Sequence, residues 1–373
     1  MALKIERFVS ADSHVNEPDD LWVERMDRRF RDDAPRMEMR NGAKTWVVKG
    51  LYATAEDSPV MIATDEKQRA AMDTGQGGRH EQVRPGGLDP DQRLLDQDVD
   101  HIAAEVLYPG HALLFFGITD ADYQRECLRV YNDFAAEFSA ANPRRLLGVG
   151  MLPFRGPLEW AIAEAERCGR IGLREVMIPN LPTRPYHDPY YKPLWEVLED
   201  LGLPVVTHTA TQEEQLDLTV TSVPLNAWVV DEKIVNMMRC LSRLIAGGVP
   251  QRHPRLRFVM VESGIGWIAG MLRFMDHWWE DHHKWMQPAL AEPPSVYFKQ
   301  QFWATFEDDR PGVVTRHLLN PEHLMWGSDY PHSEGTFPHS KERIEQDFAD
   351  IPEAETRRLV RDNAAEFYGL SLT

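Results

Sequence analysis

Residues 10–18 read SADSHVNEP and set Asp12, His14, Asn16 and Glu17 within six positions at the end of an apolar run. Turn residues ordinarily close a strand. Carboxylates and an imidazole at this density instead bind divalent ions and move protons. If Ile5–Val15 is a strand, alternation puts Asp12, His14 and Asn16 on one side and Ser13 and Val15 on the other. Glu17 faces away if the strand continues and turns inward as an extra ligand if Pro18 ends it. Its ordinary reading is a salt bridge to a loop arginine.

Groups of the same kind end three further apolar runs: His208 after LPVVT, Glu262 after LRFVMV, and Asp329 in LMWGSD. A single histidine in such a place is usually a satisfied core residue. Four sites at four strand ends point to one centre, provided that the strands share one sheet with a common end. His332 and Glu334 follow Asp329 in SDYPHSEG, and His332 is a candidate acid, base or binding group. His111 in YPGH and Asn180 in MIPN are expected to line a pocket. Aromatic residues near the strand ends, Trp267 and Phe337 among them, suit an aromatic or largely apolar substrate.

The elements that must position these groups are eight short strands alternating with helices. The strands are Ile5–Val15, Glu105–Pro109, Leu146–Phe154, Glu175–Pro179, Leu203–Thr209, Leu256–Glu262, one within Ser295–Thr305, and Leu324–Asp329. Helices are expected over Asp89–His101, with Asp89 and Pro90 as cap and first turn, and over Asp120–Asn142, Gly156–Gly169, Tyr190–Leu201, Val235–Ala246 and Gly266–His283. Two more, Ser340–Ala349 and Glu353–Phe367, finish the chain. Continuous apolar strands in this alternation predict an α/β (β/α)8 barrel, in which functional groups gather at the C-terminal strand ends. A doubly wound sheet is disfavoured, because no glycine-rich phosphate fingerprint follows the first strand. Residues 1–373 read as one domain, with 17–87 inserted as a cap or lid. That insertion holds an amphipathic stretch at Asp20–Phe30, a hairpin at Thr45–Ala53 and a glycine-rich, charged tract near 74–87.

Lys plus Arg number 41 against 59 Asp plus Glu, a net charge of -18 in 373 residues. That field disfavours nucleic acid and anionic membrane as partners. Cys127, Cys168 and Cys240 are scattered and odd in number, which fits a reducing compartment and a cytoplasmic protein. The N-terminus lacks the apolar core of a secretory signal, and no apolar run is long enough to span a membrane. The run MDHWWEDHHKW carries His277, His282 and His283 beside tryptophans and reads as a surface or subunit contact; a homo-oligomer is expected.

DSHVNEP, VVTHT, HPRLRFVMVESGIGW and MWGSDYPHSEG occur in an order that resembles the amidohydrolase superfamily, specifically amidohydrolase family 2 with its aminocarboxymuconate-semialdehyde and resorcylate-type decarboxylases. The resemblance implies a (β/α)8 barrel with one divalent ion, zinc foremost, manganese or iron otherwise. It implies His14, His208 and Asp329 as ligands, with Asp12 standing behind them. Asn16 replaces the second histidine of an Asp-x-His-x-His pattern and is at most a weak ligand. Glu262 stands where many members have a catalytic histidine, and acts as base or acid according to its surroundings.

A metal-dependent hydrolase follows as the first expectation: a metal-activated water attacks a carbonyl, Asp329 or Glu262 takes the proton, and His332 protonates the leaving group. The alternative is a non-oxidative decarboxylase of an aromatic or unsaturated acid. A third possibility, a metal-free barrel serving as a binding or scaffold protein, is kept open by Asn16 and Glu262.

Overall fold

The computed structural model describes residues 4–40, 43–51, 85–214, 230–332 and 335–372. Eight parallel strands form one sheet: β1 (Phe8–His14), β4 (Ile102–Tyr108), β5 (Leu146–Met151), β6 (Glu175–Met177), β7 (Val205–His208), β8 (Phe258–Val261), β9 (Phe302–Phe306) and β10 (Leu324–Trp326), neighbours in that order. The sheet closes on itself where the Asp329 amide donates to the Asp12 carbonyl (2.8 Å) and the His14 amide to the Tyr330 carbonyl (2.6 Å). Gly327 permits this closure, since a Cβ there would lie 2.4 Å from that of Asp12. The strands are buried almost throughout, as their continuous apolar runs require when helices cover a barrel.

The helical punctuation acts as read. Asp89 caps α1 (Pro90–Val99), accepting from the amides of Asp91 and Gln92. Asp120 caps α2 (Ala121–Ala140). Gly202, at φ 66°, ends α3 (Lys192–Leu201) in the left-handed conformation. Several boundaries differ from expectation, two of them in ways that matter to the reading. The hairpin lies earlier, pairing β2 (Arg36–Arg40) with β3 (Ala43–Val47). The stretch Ser295–Thr305 is mostly the helix Pro294–Gln301, and β9 begins only at Phe302.

The insertion after β1 therefore contains a small antiparallel hairpin. Trp22 and Trp46 pack edge to face at 5.4 Å, Trp22 lies 5.0 Å from Phe115, and Trp46 lies 5.0 Å from His111. This part of the insertion thus rests on the segment that follows β4, on the C-terminal side of the barrel. Residues 52–84, including most of the expected glycine-rich lid, lie outside the described residues.

Candidate metal centre

The end of β1, the end of β7 and the residues just after β8 and β10 bring side chains to a single point. His14 ends β1, and its Nδ1 faces the Pro109 carbonyl at 2.7 Å. His208 ends β7, and its Nδ1 faces the Thr209 carbonyl at 3.0 Å. A ring nitrogen facing a carbonyl must carry the proton, so in each neutral ring Nε2 keeps a bare lone pair. Both Nε2 atoms aim inward at oxygens. His14 Nε2 lies 3.2 Å from Asp329 Oδ1 and 3.8 Å from both Asp12 Oδ1 and Glu262 Oε2. His208 Nε2 lies 3.2 Å from Glu262 Oε2 and 3.9 Å from Asp12 Oδ1.

Asp12 Oδ1, His14 Nε2, His208 Nε2 and both carboxylate oxygens of Asp329 are buried and lack a hydrogen-bond partner of acceptable geometry among the described residues. Orphaned buried polar atoms are costly, and five converging here demand a common partner. Lone pairs facing lone pairs at this spacing repel unless a cation lies between them. The donor set, two imidazoles with carboxylates, suits a divalent transition ion. The arrangement fits such an ion on its own geometry.

The backbone is bent to achieve this aim. Glu262 and Asp329 both adopt left-handed conformations, at φ 59° and 53°, which non-glycine residues rarely take. The Glu262 amide donates to Thr305 Oγ1 (3.0 Å), whose hydroxyl donates onward to Asp12 Oδ2 (3.3 Å). Behind His14 sits the buried Arg93 of α1. It donates to the His14 carbonyl, to Gly86 O at 2.7 Å and to Glu105 Oε2 at 2.9 Å, and packs 4.3 Å from the Tyr330 ring.

Burial pushes the Asp12 carboxyl well above its usual range, and Asp329 and Glu262 add to the rise. Burial also raises Asp329, but His332 and His14 outweigh it and hold that carboxyl below the usual range. Glu262 is likewise raised by burial, yet Lys233 and His208 bring it below its ordinary value. Burial lowers His208 to about 4, which keeps its ring neutral and able to donate a lone pair. Glu307 is pushed well up by burial and by Asp329, Asp12 and Glu262 together.

The expected site residues distribute unevenly. His14, His208, Asp329, Glu262 and His332 come together; His332 Nδ1 lies 2.7 Å from Asp329 Oδ1, and its ring lies 4.0 Å from that of His14. Asp12, expected behind the ligands, sends Oδ1 into the same space, because it lies two residues before His14 on the inward side of β1. Glu17 is elsewhere: its carboxylate accepts from the amides of Gly110, His111 and Ala112 at 3.1, 2.9 and 3.2 Å, fixing the turn after β4. Neither an inward ligand nor an arginine partner describes it. Asn16 packs against Gly87, where a Cβ would lie 2.3 Å from its Nδ2. The turn after β8 is held by Asp309, which accepts from the amides of Ile265 and Gly266, so Glu262 is not needed there.

Of the expected pocket residues, His111 meets the Trp46 ring at a tilt of 46°. Asn180 is fully buried, with Nδ2 3.9 Å from Met237 Sδ. Trp267 donates to Ser263 O at 2.9 Å, and Phe337 meets the Tyr330 ring at 5.0 Å. Glu334 lies outside the described residues. Sequence reasoning missed Glu307, Thr305 and Lys233. Glu307 and Thr305 follow the strand-end rule once β9 is placed correctly. Lys233, 2.7 Å from Glu262 Oε1, lies in a helical turn with no motif around it.

Comparison with known proteins gives a consistent result. A family model described as Amidohydrolase matches residues 58–370. The chain is 28% identical over 310 residues to a gamma-resorcylate decarboxylase of Rhodococcus jostii, covering 74% of this chain and 89% of that protein. Among solved structures, an amidohydrolase from Mycobacterium avium subsp. paratuberculosis superposes with TM-score 0.77 at 19% identity, covering 99% and 100% of the two chains. A 5-carboxyvanillate decarboxylase of Novosphingobium aromaticivorans, solved with manganese and 4-hydroxy-3-methoxy-5-nitrobenzoic acid, superposes with TM-score 0.70 at 18% identity, covering 98% and 96%.

Proposed function

The chain belongs to the amidohydrolase family, and from that premise we propose that it is a metal-dependent, non-oxidative decarboxylase of a small aromatic acid. The family's name favours the hydrolase expected first, but the Rhodococcus jostii relative is a decarboxylase, and it aligns across most of its own length. That correspondence carries the reading. The convergence of five orphaned donor atoms supports a metal centre at which such chemistry can occur.

His14, His208, Asp329 and Asp12 are the residues that would hold a divalent ion. Manganese is favoured over the zinc expected first, because a related structure contains it and carboxylate oxygens are harder donors than thiolates. A bound ion there would polarise the substrate's carboxylate and draw electron density from the ring. The remaining chemistry is a proton exchanged for carbon dioxide at one ring carbon: the C–C bond breaks, its electron pair stays on the ring, and a proton takes its place. His332 would carry that proton. It touches Asp329 and is 21% exposed, so it can be reloaded from solvent.

The test is product analysis. Protein reconstituted with manganese and offered a panel of ortho-hydroxylated benzoates should release one carbon dioxide per molecule consumed, and chelation should stop the release. Consumption of ester or lactone substrates with solvent oxygen entering the product, and no carbon dioxide from any benzoate, would restore the hydrolase.

A further inference from the structure

The surroundings of Glu262 point to a role for it at the metal centre. Its side chain is 8% exposed. Oε2 lies 3.2 Å from His208 Nε2 and 3.8 Å from His14 Nε2, spacings that two ligands show when each stands roughly 2 Å from one ion. One donor atom each from His14, Glu262, Asp329 and His332 falls within a mutual 4.8 Å. Oε1 points the other way, onto Lys233 Nζ at 2.7 Å. The left-handed backbone at Glu262 is held by Thr305, whose hydroxyl accepts from the Glu262 amide and donates to the Asp12 carboxylate, so one hydroxyl ties the two residues together.

We propose that Glu262 is itself a ligand of the ion, through Oε2, and that Lys233 is the positioning residue that holds its other oxygen. This rests on the metal-centre reading above and deepens it. With Glu262 the set becomes two imidazoles and three carboxylates. Three carboxylates around a dication leave one excess negative charge, and the Lys233 ammonium offsets it. Such a set is oxygen-rich and has too many donors for the four-coordinate shell that zinc prefers. It suits a hard ion that accepts five or six ligands, of the manganese class. Proton transfer is then left to His332.

The probe is the metal alone. Metal-stripped protein titrated with Mn²⁺, with free Mn²⁺ read by electron paramagnetic resonance, should bind one ion. Glu262→Gln should weaken that binding by at least about 10-fold and narrow the preference for Mn²⁺ over Zn²⁺ in competition. Lys233→Met should weaken it less, and Lys233→Arg should restore it. Unchanged Mn²⁺ affinity and selectivity in Glu262→Gln would overturn the proposal while leaving the metal centre standing. Failure of the wild type to bind any divalent ion would overturn the metal centre itself. Should Glu262→Gln not fold, a crystal structure of the wild type with Mn²⁺ decides: Oε2 in the coordination shell supports the assignment, and Oε2 outside it ends the assignment.

Discussion

His208 shows how one side chain carries the account. Its Nδ1 is committed to a neighbouring carbonyl and its Nε2 faces two carboxylates, so its free lone pair has one use. His208→Ala should lower divalent-metal affinity by at least about 100-fold together with activity, since even partners behind a ligand are worth 10–100-fold. Lost activity with intact metal stoichiometry would make it a catalytic group instead. His332 should behave in the opposite sense. His332→Gln is expected to keep about one ion per chain while turnover falls roughly 10²- to 10⁴-fold, the usual worth of a positioned acid or base. Loss of metal in that variant would reassign His332 as a ligand. At this scale the sequence was legible wherever a polar residue closes an apolar run: His14, His208, Glu262 and Asp329 could each be found that way. Lys233 could not, because only the folded chain brings its helical turn to the barrel mouth. The direction of Glu17 could not either, because its three partners are backbone amides of a turn more than ninety residues away.

The elements were legible through their caps and apolar runs, and less so where a helix and a strand share one apolar stretch, as at Pro294–Phe306. Their polar supports follow from burial. Arg93 joins α1 to the end of β1, and its guanidinium is fully buried against Glu105. Arg93→Met should cost about 3–5 kcal/mol in denaturant unfolding, the usual consequence of leaving a buried partner unpaired, and should weaken metal binding by loosening His14. In β6, Glu175 is buried beneath the site and accepts from Tyr108 (2.6 Å) and Tyr368 (3.1 Å). Burial raises its pKa from 4.5 to about 7, against the lowering effect of those hydroxyls. Across that interval the folded chain retains a proton that the unfolded chain has released, so this group's stabilising contribution is present at low pH and is lost as pH rises to about 7. Glu175→Gln should therefore gain on the wild type as pH rises through the same window, by on the order of 3 kcal/mol. Thermal melts at pH 5 and pH 8 provide the check, and a constant difference between the two proteins would contradict it.

At the scale of the whole molecule, the proposed function requires an anionic substrate to reach a centre in a chain of net charge -18, so an open position on a bound ion, rather than net positive charge, has to draw it in. On the outer surface, α4 (Ile268–His282) and the turn after it expose Phe274, Trp278 and Trp285 at 69%, 49% and 66%. Exposed aromatic residues grouped in this way are typical of contact surfaces. The expected homo-oligomer is tested by sedimentation, in which Trp278→Lys should shift the wild-type assembly toward monomer. No helix among the described residues is long and apolar enough to cross a membrane. The central claim is the ion itself, and anomalous diffraction from metal-loaded crystals tests it most directly. One peak is predicted, at roughly 2.0–2.3 Å from His14 Nε2, His208 Nε2 and an Asp329 oxygen. Metal-replete crystals with those three side chains away from any ion would contradict the account, and crystals that take up no ion at all would return the barrel to a metal-free binding role.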